Sequence, residues 1–137
     1  MRTPDTTNLA ELSQPFFDWC ARGELRAPRC LACETFRFYP TVLCPRCHAP
    51  EFEWASLSGE AEVYSYTVVH RPLVPSLREK APYVVAVVEL LEGIRMMTNI
   101  VGCEPDDVTV GMTVAVEFTR SWDERDIPVF RPLEAAR

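Results

Sequence analysis

Four cysteines with the spacing of a metal site stand near the start of the sequence. Cys30 and Cys33 form one Cys-x-x-Cys pair, and Cys44 and Cys47 form a second pair after a ten-residue spacer. A tetrahedral zinc ion binds four thiolates at about 2.3 Å, and a two-residue spacing lets one tight turn present two sulfur atoms to the same ion. A spacer of this length can run out and back as a short hairpin. We therefore predict a structural four-thiolate zinc site.

The same cysteines are open to other uses. Disulfides belong to oxidising compartments, and a redox-active pair usually begins a helix after a strand, whereas neither pair here is followed by a helical pattern. The segment from Cys44 to His48 also matches the haem-attachment pattern Cys-x-x-Cys-His, but haem would leave Cys30 and Cys33 without a role. Iron on the four thiolates would make a rubredoxin-type electron carrier.

Charge and composition favour a cytoplasmic protein that binds neither nucleic acid nor membranes. The 137 residues carry a formal net charge of −6, and 47% of them are hydrophobic, which is enough for a core. An acidic chain is repelled by nucleic acids and by anionic membrane surfaces. The first residues show no signal-peptide pattern, and the longest apolar run, 83–88, is too short to span a bilayer. In the cytoplasm, thiols stay reduced and bind metal.

A short aromatic helix is predicted ahead of the cysteines. Pro15 suits the first helical position and Gly23 suits the stop. Phe16, Phe17 and Trp19 then place three aromatic side chains within four residues. Such a helix either packs on the core of its own domain or anchors a partner subunit, because large aromatic side chains dominate protein interfaces.

Most of the remaining sequence indicates short strands. Phe36, Phe38 and Val42 alternate between the cysteine pairs, which predicts strands in the spacer. After the Ser58-Gly59 turn, five segments have the periodicity and flanking turns of β-strands; they are 60–71, 83–91, 94–100, 113–119 and 127–133. Five strands in about 75 residues fit a barrel of the oligonucleotide/oligosaccharide-binding (OB) type.

Three features of these strands are predicted in more detail. In the first strand, the odd-numbered residues 63–69 should share one face. The run 84–88 is almost entirely β-branched, so its strand is expected to be buried on both faces. Pro128 and Pro132 indicate that the last strand lies at an edge.

The barrel segment contains few residues suited to catalysis or to nucleic-acid binding. Residues 58–118 contain nine acidic and four basic residues, whereas single-stranded nucleic acid needs a basic groove. His70 and Arg71 adjoin at a strand end, where they can receive an anionic ligand or simply lie in solvent. Cys103 has no obvious base nearby and is expected to be a buried thiol. No catalytic residue is assigned.

The order of the motifs resembles the DUF35 family. The aromatic helix precedes Cys30-x-x-Cys33, Phe38-x-Pro40 and Cys44-Pro45-x-Cys47, and the barrel motifs follow in the same order; they include Ser58-Gly59-x-x-x-x-Tyr64-x-x-Thr67-Val68, Pro82-Tyr83-Val84-Val85-x-Val87, Gly111-Met112-x-Val114 and Pro128-x-Phe130-x-Pro132. The resemblance covers residues 12–134. It implies a mainly β protein with a short N-terminal helix, a rubredoxin-like zinc ribbon and an acyl-CoA-associated five-stranded OB fold. Glu34 and His48 depart from the family's pattern, in which a glycine commonly follows each Cys-x-x-Cys pair. A glycine at these positions eases a left-handed turn.

The resemblance also implies a role beside an enzyme. Members of the family accompany thiolase-fold partners, which include thiolases, acetyl-transferring complexes and lipid-transfer-type thiolases that act as retro-aldolases on steroid side-chain CoA thioesters. The chain would be a non-catalytic subunit that scaffolds such a partner and helps to form its acyl-CoA site. Because thiolase-fold enzymes are usually dimers, a heterotetramer is expected. The alternative functions are a single-stranded nucleic-acid-binding protein and the rubredoxin-type electron carrier.

Under this interpretation the chain has three segments and three sets of site residues. The segments are a helical segment 1–24, a zinc ribbon 25–57 and an OB-fold domain 58–137. The ligands of a structural Zn²⁺ are the four cysteines of the two pairs. The residues assigned to the CoA phosphates are His70, Arg71, Arg78 and Lys80. The residues assigned to partner contact are Phe16, Phe17 and Trp19.

Overall fold

A computed structural model of the protein describes residues 9–73, 75–121 and 124–133. The chain divides into two compact units between Leu57 and Ser58. The first unit contains the helix together with the cysteine pairs, so the two segments separated in the sequence at residue 24 fall in one unit, although residues 1–8 lie outside the described part. The second unit is a β-barrel. No helix of the described residues is long and apolar enough to cross a membrane.

The first unit begins with helix α1, which spans Leu9–Ala21. The predicted start at Pro15 was wrong, because the proline lies inside the helix. Leu12 and Phe16 are buried one turn apart, and this buried face continues the helix through the proline despite the lost hydrogen bond. The predicted stop is confirmed. Gly23 has φ +76° and its N–H donates to the Cys20 carbonyl, as in a Schellman cap.

A two-stranded antiparallel sheet flanks the cysteine pairs. Strand β1 spans Arg26–Cys30 and leads into the first pair, and strand β2 spans Phe52–Ser56 and follows the second. The strands predicted within the spacer were wrong, since the described spacer residues form only an isolated bridge between Arg29 and Phe36. The sheet therefore joins the two ends of the metal segment, and the spacer is held by other contacts.

The second unit is a closed barrel of five strands. The strands are β3 Glu60–Val69, β4 Tyr83–Leu90, β5 Arg95–Ile100, β6 Thr113–Arg120 and β7 Asp126–Pro132. Short 3-10 helices lie at Pro75–Lys80 and Pro105–Asp107. The order around the barrel is β3-β4-β5-β7-β6, and pairing of β6 with β3 closes it. All pairs are antiparallel except β5 with β7. The predicted five-stranded OB-type barrel is confirmed.

A β-bulge changes which residues of β3 face the core. Val63 pairs with Val88 and the next pair is Ser65 with Val87, so Tyr64 is an extra residue. Before the bulge the odd-numbered residues face inward, and beyond it the even-numbered residues are opposite the buried residues of β4. The prediction of a shared face for the odd-numbered residues 63–69 was wrong, because one extra residue inverts the alternation.

Strand β4 supplies one row of the barrel core. Val84, Ala86, Val88 and Leu90 are buried, whereas the residues between them are half-buried. The prediction that this strand is buried on both faces was wrong, since a single barrel has only one interior. The outward row of β4 is nevertheless almost as apolar as the inward row.

Strand β7 lies between β5 and β6, so its predicted edge position was wrong. It pairs with β6 along its whole length but meets β5 at a single parallel bridge, Ile100 with Phe130. Val101 N–H donates to the Phe130 carbonyl, and Pro128 and Pro132 share the orientation of Phe130 in the strand. The missing proline N–H groups therefore face the sparse β5 side, where few hydrogen bonds are lost.

Candidate metal centre

The four sulfur atoms of the cysteine pairs converge on one point. All four Sγ atoms lie within 4.8 Å of one another. Two of the separations are 3.5 Å, and they join Cys30 to Cys47 and Cys33 to Cys44, so each links the two pairs. Four thiolates at 2.3 Å from a central zinc ion would be about 3.8 Å apart. The donor set and its geometry therefore fit a tetrahedral metal ion.

Both pairs sit on turns, called knuckles here, that are closed by the same backbone hydrogen bonds. In the first, Cys30 N–H donates to the Thr35 carbonyl at 2.8 Å and Glu34 N–H donates to the Cys30 carbonyl at 3.0 Å. The second knuckle repeats both bonds around Cys44. Because the backbone is alike in both, each knuckle presents its two sulfur atoms in the same way.

Each knuckle ends at a residue in the left-handed backbone conformation. Glu34 and His48 each have φ +66°, a region that glycine adopts more readily than other residues. These are the two positions where the sequence departs from the family's glycine pattern. The departure therefore leaves the knuckle conformation unchanged and places backbone strain in it.

Replacing His48 with glycine is expected to stabilise the protein. The gain should be about 0.5–1 kcal/mol, because relief of roughly 1–2 kcal/mol of strain is partly offset by the greater freedom of glycine in the unfolded chain. Urea unfolding of the metal-loaded protein measures it. His48→Ala is the control, since alanine keeps a Cβ at the same φ and should bring no gain. Equal effects of the two changes would contradict the strain argument.

Hydrogen bonds from backbone N–H groups also shift the pKa values of the cysteine thiols. The N–H of Cys33, followed by other hydrogen bonds, lowers the pKa of Cys30 to about 6, and the N–H of Cys47 lowers the pKa of Cys44. The N–H of Ala49 lowers the pKa of Cys47, but desolvation and the neighbouring thiols outweigh it and raise that pKa to about 12. The metal-free cluster therefore keeps protons that a metal must displace. Metal affinity is expected to fall as the pH falls, because protons compete for the same sulfur atoms.

The buried residue Arg37 stabilises the spacer through hydrogen bonds, and this role was not predicted from the sequence. Arg37 is 1% exposed, and its guanidinium donates to five backbone carbonyls at 2.6–3.4 Å. The carbonyls belong to Thr41, Val42, Ala49, Pro50 and Glu51. Its Nε atom has no hydrogen-bond partner among the described residues. Arg37 thus connects the chain before the second knuckle to the chain after it. Its guanidinium also lies 4.9 Å from the Phe52 ring centroid.

The N-terminal aromatic residues occupy different environments. Phe16 is buried, and its ring packs 5.4 Å from the ring of Phe38 in the same unit. Phe17 and Trp19 are half-buried, and the guanidinium of Arg26 lies 4.1 Å from the Trp19 ring centroid. Phe16 therefore belongs to the core of the first unit, whereas Phe17 and Trp19 reach its surface. Partner contact by these residues stays a prediction.

The four residues assigned to the CoA phosphates all lie in the connection from β3 to β4. His70, Arg71, Arg78 and Lys80 are exposed, and within the described residues their side chains form no ion pair. Three other arginines of the barrel are ion-paired; these pairs are Arg95 with Glu89, Arg120 with Asp126 and Arg131 with Glu117. The connection therefore collects more cationic groups than carboxylates, since Glu79 is its one acidic residue.

Cys103 belongs to the second unit, is not one of the four converging cysteines, and is half-buried. Burial, followed by the nearby charges of Asp107 and Glu104, raises the pKa of this thiol. A raised pKa keeps the sulfur protonated at neutral pH, which does not suit a nucleophile.

The two units together define a class of protein, in which a rubredoxin-like metal ribbon precedes an OB-fold barrel. Residues 17–53 match the family described as the ChsH2 rubredoxin-like zinc ribbon domain, and residues 54–119 match the ChsH2 C-terminal OB-fold domain. The chain belongs to the DUF35 family, as the sequence motifs indicated.

Named relatives include scaffold proteins and enzyme subunits. The chain is 43% identical over 114 residues to a DUF35 domain-containing scaffold protein of Methanocaldococcus jannaschii, with 77% of this chain and 79% of that protein covered. It is 40% identical over 117 residues to a probable enoyl-CoA hydratase alpha subunit of Thermomonospora curvata, where it covers 36% of that protein's length and 85% of its own. A chain of the solved Ltp2-ChsH2(DUF35) aldolase superposes with a TM-score of 0.80 at 39% identity, with 88% of this chain and 93% of that chain covered.

Proposed function

We propose that this chain is a non-catalytic zinc-binding subunit that scaffolds a thiolase-fold enzyme and helps to form its acyl-CoA site. The likeness to a chain of the Ltp2-ChsH2(DUF35) aldolase carries the proposal, because that aldolase is named for two components. The scaffold name of the archaeal relative supports the same role. The partner would be a thiolase, an acyltransferase or a lipid-transfer-type aldolase acting on steroid side chains.

The proposed metal is Zn²⁺ with a structural role. Zinc accepts four thiolates in a tetrahedral arrangement, and the four converging Sγ atoms provide it. A catalytic zinc site keeps one position open for water or substrate, whereas the four cysteines here would fill all four positions. Zinc bound to Cys30, Cys33, Cys44 and Cys47 would fix the two knuckles against each other. Reduced thiolates suit the cytoplasm, which is the proposed location.

The proposed CoA contacts are His70, Arg71, Arg78 and Lys80. CoA carries phosphate groups, and guanidinium and ammonium groups bind phosphate through charge-assisted hydrogen bonds. The support for this assignment is that the side chains are exposed, close in sequence and free of ion pairs among the described residues. The acyl chain and the reacting carbonyl would lie in the partner subunit.

Neutralising these cations is expected to weaken CoA binding without slowing catalysis. In the assembled enzyme, the combined change Arg71→Gln, Arg78→Gln and Lys80→Gln should raise KM for the acyl-CoA by about tenfold or more, because charged hydrogen bonds are lost. The kcat should stay close to that of the unchanged enzyme. The control changes Arg120, Arg125 and Arg131 to glutamine, which removes the same charge elsewhere on the barrel. Equal effects of the two triple variants would contradict the assignment.

The proposed assembly is a heterotetramer, in which two copies of this chain flank a dimeric partner. On the first unit, Phe17 and Trp19 are the proposed contacts, and the buried Phe16 packs against Phe17. Large aromatic side chains that reach a surface are frequent anchors of interfaces.

Co-purification tests the whole proposal. The chain would be tagged in its native host and purified at moderate salt, and its partners and metal would be identified in one sample. A stoichiometric thiolase-fold enzyme and about one zinc per chain are expected. A metal-bearing protein that purifies alone, or with nucleic acid, would overturn the scaffold function. A red protein that bleaches on reduction would indicate iron and an electron carrier.

A further inference from the structure

The outward row of β4 is more apolar than that of an ordinary strand with one face in water. On β4 the outward residues Tyr83, Val85 and Val87 alternate with the buried residues. An antiparallel sheet with one face in water normally alternates apolar with polar side chains. The outward row of β4 keeps this apolar character over three successive positions, so it is suited to being covered.

Residues of the neighbouring strands extend the apolar row. Val87 lies between Ser65 of β3 and Met97 of β5 in register, and Met97 is 61% exposed. Tyr64 at the bulge is 49% exposed, and the Arg95 guanidinium lies 3.8 Å from its ring centroid. We call this surface the outer face, and its residues are Tyr64, Thr67, Tyr83, Val85, Val87 and Met97. Tyrosine, methionine and arginine are enriched in protein interfaces.

The outer face carries opposite charges at its two ends. At one end, Glu62 lies opposite Glu89 on the neighbouring strand, and Glu89 lies opposite Arg95 and forms an ion pair with it. One arginine cannot neutralise two carboxylates. At the other end, the last pair of β3 with β4 leads into the connection 70–82, which carries the basic side chains assigned to CoA. Leu73 in this connection is 96% exposed.

We propose that the outer face docks on the enzyme subunit, at a surface with an apolar centre and basic groups opposite Glu62 and Glu89. This inference rests on the proposed function and adds the surface through which the subunits meet. A second copy of this chain is a poor occupant, because the net charge of −6 makes two copies repel each other. The enzyme subunit would also lie beside the connection 70–82, so that a CoA thioester bound there would lie between the subunits.

The interface must extend beyond the outer face itself. Three strands 4.8 Å apart, with five residues each at 3.3 Å, project an area of only about 200 Å². A stable interface buries about 800 Å² on each partner. The connection 70–82 begins and ends at the pair Val69 and Tyr83, at one end of the outer face, and its Leu73 is exposed. We therefore expect both the outer face and the connection to be covered in the complex.

A pair of matched substitutions tests the docking surface. Met97→Glu places a carboxylate on the outer face, and Val110→Glu places one at a turn residue that is 67% exposed. With the enzyme subunit identified by co-purification, the Kd of each purified variant is measured by titration calorimetry. Met97→Glu should raise the Kd by at least about tenfold, because a buried unpaired charge is costly. Val110→Glu should stay within about twofold of the unchanged chain, since an exposed charge costs little.

Controls separate failure of this inference from failure of the proposed function. Metal content and melting temperature of each free variant show that it folds, and Thr67→Glu serves as a second outer-face variant if Met97→Glu fails this check. A Kd within twofold for a folded outer-face variant overturns the docking surface and leaves the proposed function standing. Absence of any enzyme partner for the unchanged chain overturns both. If the unchanged chain self-associates and the variant does not, the outer face is an interface between copies and the inference is wrong.

Discussion

Replacing Cys44 with serine is expected to remove the metal and unfold the first unit. A serine hydroxyl stays protonated and is a poor ligand for zinc, so three thiolates remain where four are needed. Structural zinc supplies on the order of 10 kcal/mol of binding energy to modules of this kind, which is larger than the stability of a small domain without metal. Zinc content should fall from about one per chain to nearly none. Metal analysis and circular dichroism on the purified chain measure both effects.

Cys103→Ser is the matched control for this change. Cys103 is a half-buried thiol outside the cluster, so its replacement should leave the zinc content unchanged. Cys44→Ser should also abolish co-purification of the enzyme subunit, whereas Cys103→Ser should retain it. If Cys44→Ser kept stoichiometric zinc and a stable complex, the structural zinc site and the scaffold role that depends on it would both be rejected.

Replacing Arg37 with methionine is expected to destabilise the first unit by about 3–5 kcal/mol. Methionine preserves much of the side-chain volume but leaves the five carbonyls around the guanidinium without their donor. Buried acceptors without partners are costly, and the charge-assisted bonds lost here are stronger than ordinary ones. The effect should appear in urea unfolding of the zinc-loaded protein. It should also appear as faster zinc release to a chelator, because the chain on both sides of the second knuckle loosens.

Two further variants show whether the network around Arg37 causes this effect. Arg46→Met alters an exposed arginine between the cysteines of the second knuckle, and it should cost well under 1 kcal/mol. Arg37→Lys keeps the charge but offers one ammonium group with three donors, which cannot reach all five carbonyls, so an intermediate loss is expected. A loss for Arg37→Met as small as that for Arg46→Met would show that the network contributes little.

The metal site could be predicted from the sequence because its geometry is local. Each Cys-x-x-Cys pair fixes two sulfur atoms on one turn, and only the meeting of two turns had to be assumed. The left-handed turns at Glu34 and His48 could also be anticipated, since both stand where a glycine is common. In both cases the information lies within a few residues of the site.

Arg37 could not be recognised in the same way. It stands between Phe36 and Phe38, and nothing in its neighbours signals that its side chain reaches carbonyls up to fourteen residues away. The bulge at Tyr64 is equally hidden, because one extra residue in a strand leaves the pattern of residue types almost unchanged. Such features depend on non-local packing, which a periodic pattern does not encode.

Strand β7 shows a local rule overridden by the topology of the fold. Prolines usually mark an edge strand, and Pro128 and Pro132 would do so in an open sheet. Closing the barrel places this strand between two others, and the prolines are accommodated because β5 touches it at only one bridge. The OB-type strand order was therefore a better guide than the local residue rule.

The barrel cannot close during synthesis until its last strand has been made. Strand β7 separates β5 from β6, and β3 must wait for β6, whose pairing joins residues as distant as Glu60 and Ala115. Contacts this distant in sequence form slowly, and unpaired strand edges invite aggregation in the meantime. All four cysteines lie earlier in the chain and close together, so the first unit can emerge and bind its metal while the barrel is still incomplete. Metal loading and barrel closure are therefore expected to be separate steps of biogenesis, in that order.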